Sequence, residues 1–250
     1  MKRRPLVLTC LAGLLVFLGV LVLYLPASWF VSMLPPPVRC AELGGSIWHG
    51  ECVGLEFQGS RLGDATWNFA AGKAFTGKLD GDVDLRGNAL GARADLDIGL
   101  NGSGELRNVT ARFPLDPAFF AKFPRDQRGN IIADLKRVVL SDGPALAALQ
   151  GTLELHDFRQ VGTNPLALGS YQLTFDGSAQ PNGAVIGQLR DLGGPFAVNG
   201  TVTLTAPNSY LVQGFITGRS ADAERLVREI TLGAPPDASG RSAFSFEGSF

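Results

Sequence analysis

Histidine occurs twice in this chain, methionine twice, and cysteine and tyrosine three times each. Each scarcity removes a class of function. A zinc site needs four nitrogen or sulfur ligands, and His49 and His156 are the sole imidazoles. They have no sequence neighbour that would make either a general base, so a structural role is expected for both. No metal and no cofactor is expected. A basic excess is also missing: 22 Lys and Arg stand against 23 Asp and Glu. Three of those bases, Lys2, Arg3 and Arg4, precede a long apolar run, which leaves the remainder acidic. Nucleic acid, which needs a basic face, is therefore excluded as a partner. No block of like charge marks an interaction tail.

The recurrent catalytic motifs are absent too. Gly102-Ser103-Gly104 lacks the frame of a nucleophile elbow, and Ala71-Gly72-Lys73 lacks the first glycine and the Ser/Thr of a phosphate loop. Asp80-Gly81-Asp82-Val83-Asp84 opens like a calcium loop. Its sixth and twelfth positions, however, hold Leu85 and Gly91 where Gly and Glu are required. These carboxylates, with Asp95 and Asp97, read as the wet face of strands. The chain is not expected to be an enzyme.

What is abundant is glycine, 32 residues, with 15 prolines and an apolar fraction of 45%, a composition of short strands, many turns and a packed core. Leu6 to Leu25 is an uncharged stretch long enough for a hydrocarbon core of roughly 30 Å. The bases before it keep the N-terminus cytoplasmic by the positive-inside rule and send the rest across. Trp29 and Phe30 suit the interfacial aromatic belt. A cleaved signal peptide is the competing reading. It is disfavoured by the length of the run and by Leu25 at the −3 position before Ala27. Cys10 lies too early to be a lipid-modified cysteine.

The expected organisation is a basic cytoplasmic stretch at 1–5, a transmembrane anchor at 6–25, a stiff spacer with Pro35-Pro36-Pro37 at 26–39, and a periplasmic β-rich domain at 40–250. The bulk of the chain would then lie in the periplasm, single-pass from the inner membrane. In that oxidising compartment, Cys40 and Cys52 are expected as a disulfide, with two free thiols as the alternative.

Beyond the anchor, alternation dominates. Apolar residues recur at every second position in 79–85, 92–100, 109–113, 171–175, 196–204 and 244–250, the period of a strand with one buried face. Turn signals punctuate the chain at Arg86-Gly87-Asn88, Asn101-Gly102, Asp176-Gly177, Pro181-Asn182-Gly183 and Pro207-Asn208. The expected fold is all-β: a mainly antiparallel curved sheet or sandwich with two short helices, preceded by one N-terminal transmembrane helix. Asp116 would cap the first helix, with Pro117 at its first position and Phe119, Phe120 and Phe123 on it. Ser220 would cap the second, with Ala223, Leu226, Val227 and Ile230 as its apolar stripe and Gly233 as its stop.

The order of these features resembles the type II secretion system protein N family along nearly the whole length. A basic N-terminus and one anchor lead to Pro26-Ala27, and then to Gly45-Ser46-Ile47-Trp48-His49-Gly50, similar to that family's glycine–tryptophan–glycine signature. Trp67 follows Leu62-Gly63, and the residues themselves read both tryptophans as core or strand-pair packing. Phe113-Pro114-Leu115, Gly194-Pro195-Phe196, a strand over Tyr210–Gly218 and a late helix before a closing strand complete the likeness.

The resemblance implies a non-catalytic accessory component of the machine that exports folded proteins. Its implied partners are the inner-membrane platform and the outer-membrane secretin, and no family-wide catalytic residue carries over. Phe119, Phe120 and Phe123 are the candidate partner-binding residues. An AsmA-like periplasmic protein that binds or transfers lipid is the alternative. A carrier needs an open aliphatic groove, whereas a scaffold needs that face closed by its own helices, for which Phe119, Phe120, Phe123 and Leu226 are available.

Overall fold

A computed structural model of the chain describes residues 13–14, 17, 19–29, 38–57, 59–88, 90–115, 124–141, 145–163, 165–179, 183–206, 209–231 and 233–249. Thirteen strands account for most of them: β1 (Val38–Gly45), β2 (His49–Phe57), β3 (Ser60–Phe69), β4 (Lys78–Arg86), β5 (Gly91–Gly99), β6 (Gly104–Leu115) and β7 (Gln127–Ser141), then β8 (Ala145–Gln160), β9 (Leu166–Ala179), β10 (Val185–Asp191), β11 (Phe196–Thr205), β12 (Ser209–Gly218) and β13 (Ser242–Ser249). They form one sheet in which spatial order equals sequence order. Each strand pairs antiparallel with the next. The all-β expectation holds, and its form is a single meandering sheet rather than a sandwich.

Strand registry explains why one face is apolar. Followed across the ladder, the partners Leu43, Cys52, Ala65, Leu85, Ala92, Ala111, Ala133, Leu153, Leu173, Leu189, Gly200, Gly214 and Phe244 make a row with one residue per strand and no charge. The adjacent row on the opposite face runs Gly44, Glu51, Thr66, Asp84, Arg93, Thr110, Asp134, Thr152, Thr174, Gln188, Thr201, Gln213 and Ser245, polar at every place but its first. Shifting any strand by one residue would exchange the two rows locally, so burial of one face fixes the register.

Bulges keep the pattern in phase where the sequence alternation breaks. On β6 the apolar positions pass from Leu106 to Val109 across Asn108, which has φ 51° and donates to the Asp95 carboxylate at 2.7 Å. On the facing β7 they pass from Leu135 to Val138 across a register shift. On β8 they pass from Leu155 to Phe158 across another, with Asp157 at φ 51°. One inserted residue per bulge returns the apolar side chains to the same face.

Beyond the helical residues before 24, two helices lie among the described residues: α1 (Ala71–Ala74), a single turn, and α2 (Ala221–Ile230). The second is the helix that the sequence predicts. The Ser220 hydroxyl accepts from the Ala223 N–H at 3.2 Å, Asp222 and Glu224 occupy its first turn, and Arg228 its last. It packs on β12 and buries Ala223 and Val227 against Phe196, Val198 and Ile216. Gly218 permits that approach, since a Cβ there would stand 2.3 Å from the Glu224 nitrogen. A second buried cluster joins Val138, Leu149, Phe175 and Val185. The core therefore sits over the second half of the sheet.

Several expectations change in detail. Leu100 does not continue β5 but sits 90% exposed in the following turn. Asp176-Gly177 is no turn: β9 runs through it, with Gly177 at φ 87° and the Asp176 carboxylate accepting from Ser178. The helix expected after Asp116, including Phe119, Phe120 and Phe123, lies outside the described residues, as does Cys10. Within the expected anchor, residues 13–14, 17 and 19–23 are helical, and the other positions before 19 lie outside the described set. No helix among the described residues is long and apolar enough to cross a membrane.

Candidate functional site: an apolar groove

The apolar face of β7 to β13 lines a cavity of about 860 Å³. Ile131, Leu153, Leu155, Phe158, Leu173, Leu189, Val202, Val212, Ile216, Phe244 and Phe246 point into it, and Ile230 of α2 closes one side. Phe246 stays 49% and Ile230 43% exposed, so the groove is open. The helix packs over β11, β12 and β13, less closure than a self-sealed scaffold requires. No single stretch of sequence carries this groove. Seven strands line it, and alternation in the sequence marked only β9, β11 and β13 of them; alternation names faces without saying that neighbouring faces wrap around a space.

Polar groups concentrate at the end of the groove where β10, β11 and α2 meet. The Arg219 guanidinium bonds the Asp191 carboxylate at 2.6 Å and the carbonyls of Gly194 and Phe196 at 2.9 Å each. Asp191 also accepts from the Val198 N–H at 2.9 Å. Burial acts to raise the Asp191 pKa, but Arg219 and the backbone donors prevail and hold the carboxyl below its ordinary value. Tyr171 lies beside this clamp and donates to the Leu168 carbonyl at 2.6 Å. Burial, reinforced by the Asp191 charge, pushes its phenol up to about 12. The half-buried phenol bonds within β9, and the paired carboxylate ties the end of β10 to β11 and to the segment entering α2.

Away from the groove, at the β1 end of the sheet, the glycine–tryptophan–glycine stretch acts as a latch. The Trp48 indole donates to the Val22 carbonyl at 2.9 Å, and the Ile47 N–H donates to the Leu25 carbonyl at 3.1 Å. Pro26 and Ser46 form an isolated antiparallel bridge. The Trp67 indole donates to Ile47 at 3.1 Å, and a Cβ on Gly50 would lie 2.4 Å from its ring. The sequence reading of the two tryptophans as packing residues missed the bond from Trp48 to the end of the apolar run. Nearby, Cys40 and Cys52 form a disulfide between β1 and β2 with Cα atoms 5.8 Å apart.

The remaining sequence candidates are dispersed. Glu154 accepts from His156 at 2.7 Å and Gln172 at 2.6 Å on the polar face, and the two, His156 foremost, hold its carboxyl below the usual range. His49 is exposed at the start of β2. Asp80 faces Asp97, and Asp82 faces Asp95, across β4 and β5, while Asp84 pairs with Arg86 at 2.8 Å. Among the described residues, no group of three or more His, Cys, Asp or Glu is placed to hold a metal.

No solved structure matches the chain. The type II secretion system protein N of Vibrio cholerae serotype O1 is 22% identical over 249 residues, covering 91% of this chain and 92% of its own. The protein of the same name from Aeromonas hydrophila is 24% identical over 261 residues, covering 99% of both. The family model for type II secretion system protein N matches residues 36–245, from just before β1 to the middle of β13. The chain therefore belongs to the type II secretion system protein N family.

Proposed function

We propose that this protein is a non-catalytic accessory component of the type II secretion machinery. In this reading residues 6–25 anchor it in the inner membrane, 26–39 form the spacer, and 40–250 stand in the periplasm. There the domain contacts platform or secretin subunits to support export of folded proteins. The observation that carries the reading is the family match over 36–245, with both named relatives aligning along nearly their full length. The latch from Trp48 to Val22 adds support, because it ties the sheet to the end of the apolar run. Phe119, Phe120 and Phe123 are the proposed partner-contacting residues. Deleting the gene in its own host tests the reading. Recovery of platform or secretin complexes should fall, and folded exoproteins should accumulate in the periplasm. Unchanged recovery and unchanged export would count against it.

A second reading is favoured by one observation, the open apolar groove of about 860 Å³. Its lining, aliphatic and aromatic apart from Gln127, Glu154 and Gln172, suits acyl chains, and an AsmA-like lipid-binding role would use it directly. Under this reading the purified protein holds phospholipid in stoichiometric amount.

A further inference from the structure

We infer that the outer edge of β13 pairs with the β13 edge of a second copy of this chain, antiparallel about Ser245. The inference stands apart from both functional readings. Among the described residues the sheet is open, with β1 and β13 as its edges. The two edges differ. β1 carries the exposed charges Arg39 and Glu42 and is stapled to β2 by the Cys40–Cys52 disulfide. β13 has no Lys, no Pro and a single charge, Glu247. Its ladder with β12 runs through eight consecutive partners without a register shift, whereas the pairings of β2 with β3, β5 with β6, and β7 through β10 are bulged. Edges that stay unpaired are blunted by charge, proline or bulges. β13 has none of the last two and one of the first, and it presents Phe246 to solvent.

Self-complementarity selects the second copy as occupant. With Ser245 opposite Ser245 of the second copy, Phe244 falls opposite Phe246, Ala243 opposite Glu247, and Ser242 opposite Gly248. No like charges meet. Both Phe pairs lie on the groove face, where cross-strand aromatic pairs are favourable. Both rows that cross the sheet then continue: Gln213 and Ser245 into the polar row of the other copy, Phe244 and Phe246 into its apolar one. A register one residue away would set a phenylalanine opposite Ser245 and join the apolar face of one copy to the polar face of the other.

Site-directed crosslinking tests the register, using the full chain in a Cys10→Ser background so that the disulfide consumes the remaining native thiols. Directly opposed Cα atoms in an antiparallel pair lie roughly 4.5–5.5 Å apart, within disulfide reach. Under mild oxidation, Ser245→Cys should form a covalent dimer at least tenfold faster than the exposed control Ser239→Cys. Ala243→Cys alone should not exceed the control, but mixed with Glu247→Cys it should crosslink as fast as Ser245→Cys. Adding Phe246→Lys should slow the Ser245→Cys reaction at least tenfold. A Ser245→Cys rate equal to the control, or an Ala243→Cys rate equal to that of Ser245→Cys, overturns the inference. The mixed pair decides independently if Ser245→Cys fails to fold.

Discussion

Gly187 on β10 lies against the ring of Phe175 on β9, and this pair displays how the core was filled. A Cβ on Gly187 would meet Phe175 at 2.7 Å and Leu173 at 2.9 Å. Phe175 is 2% exposed, among the most buried side chains in the protein. The missing side chain of one strand is thus replaced by the aromatic ring of the next. Gly50 and Trp67 repeat the device near the latch. Gly187→Ala should overpack this site and cost about 1–3 kcal/mol. Urea unfolding of variant and parent checks it, and a loss below measurement error would mean that the ring can move aside. The sequence makes such glycines look like turn residues, because composition records how many there are and not what they face. The two tryptophans were legible as packing residues, while the hydrogen bond from Trp48 to Val22 spans 26 positions and leaves no local pattern.

At the scale of elements, legibility followed periodicity. β4, β5, β9, β11 and β13 alternate cleanly and were predicted as strands. β7 and β8 were not, because Ile131-Ile132, Val138-Val139 and the slip near Asp157 interrupt the period, and only the bulges restore the face. Helix α2 was legible from its cap, apolar stripe and stop. Its anchoring was not, since Asp191 and Arg219 come from different elements. That clamp carries a pH signature. Asp191 has a folded pKa below its ordinary value near 3.9, so its contribution is complete at neutral pH. The contribution declines once pH falls below that ordinary value and is lost as pH passes through the folded one. Arg219 is 43% exposed, so the effect is modest. Arg219→Ala should cost about 1 kcal/mol at pH 7. The gap between variant and parent should shrink at pH 3 without vanishing, because the two carbonyl bonds are lost at both values. Equal gaps at the two pH values would mean that the ion pair contributes nothing.

Across the whole molecule, a row of thirteen ladder partners with no charge runs from Leu43 to Phe244, beside a polar row on the opposite face. One sheet of this breadth has its ends far apart in sequence, and a disulfide at the β1 end resists fraying there. Closing so short a loop contributes about 3 kcal/mol on the loop-entropy account. The central claim is that this sheet serves assembly of a secretion machine. The most direct measurement is affinity purification of the full chain from host membranes, with protein and lipid quantified in the same eluate. The account predicts platform or secretin subunits recovered with the chain, and less than stoichiometric phospholipid. Stoichiometric phospholipid that survives detergent exchange, with no secretion subunit present, would contradict it and assign the groove to lipid carriage.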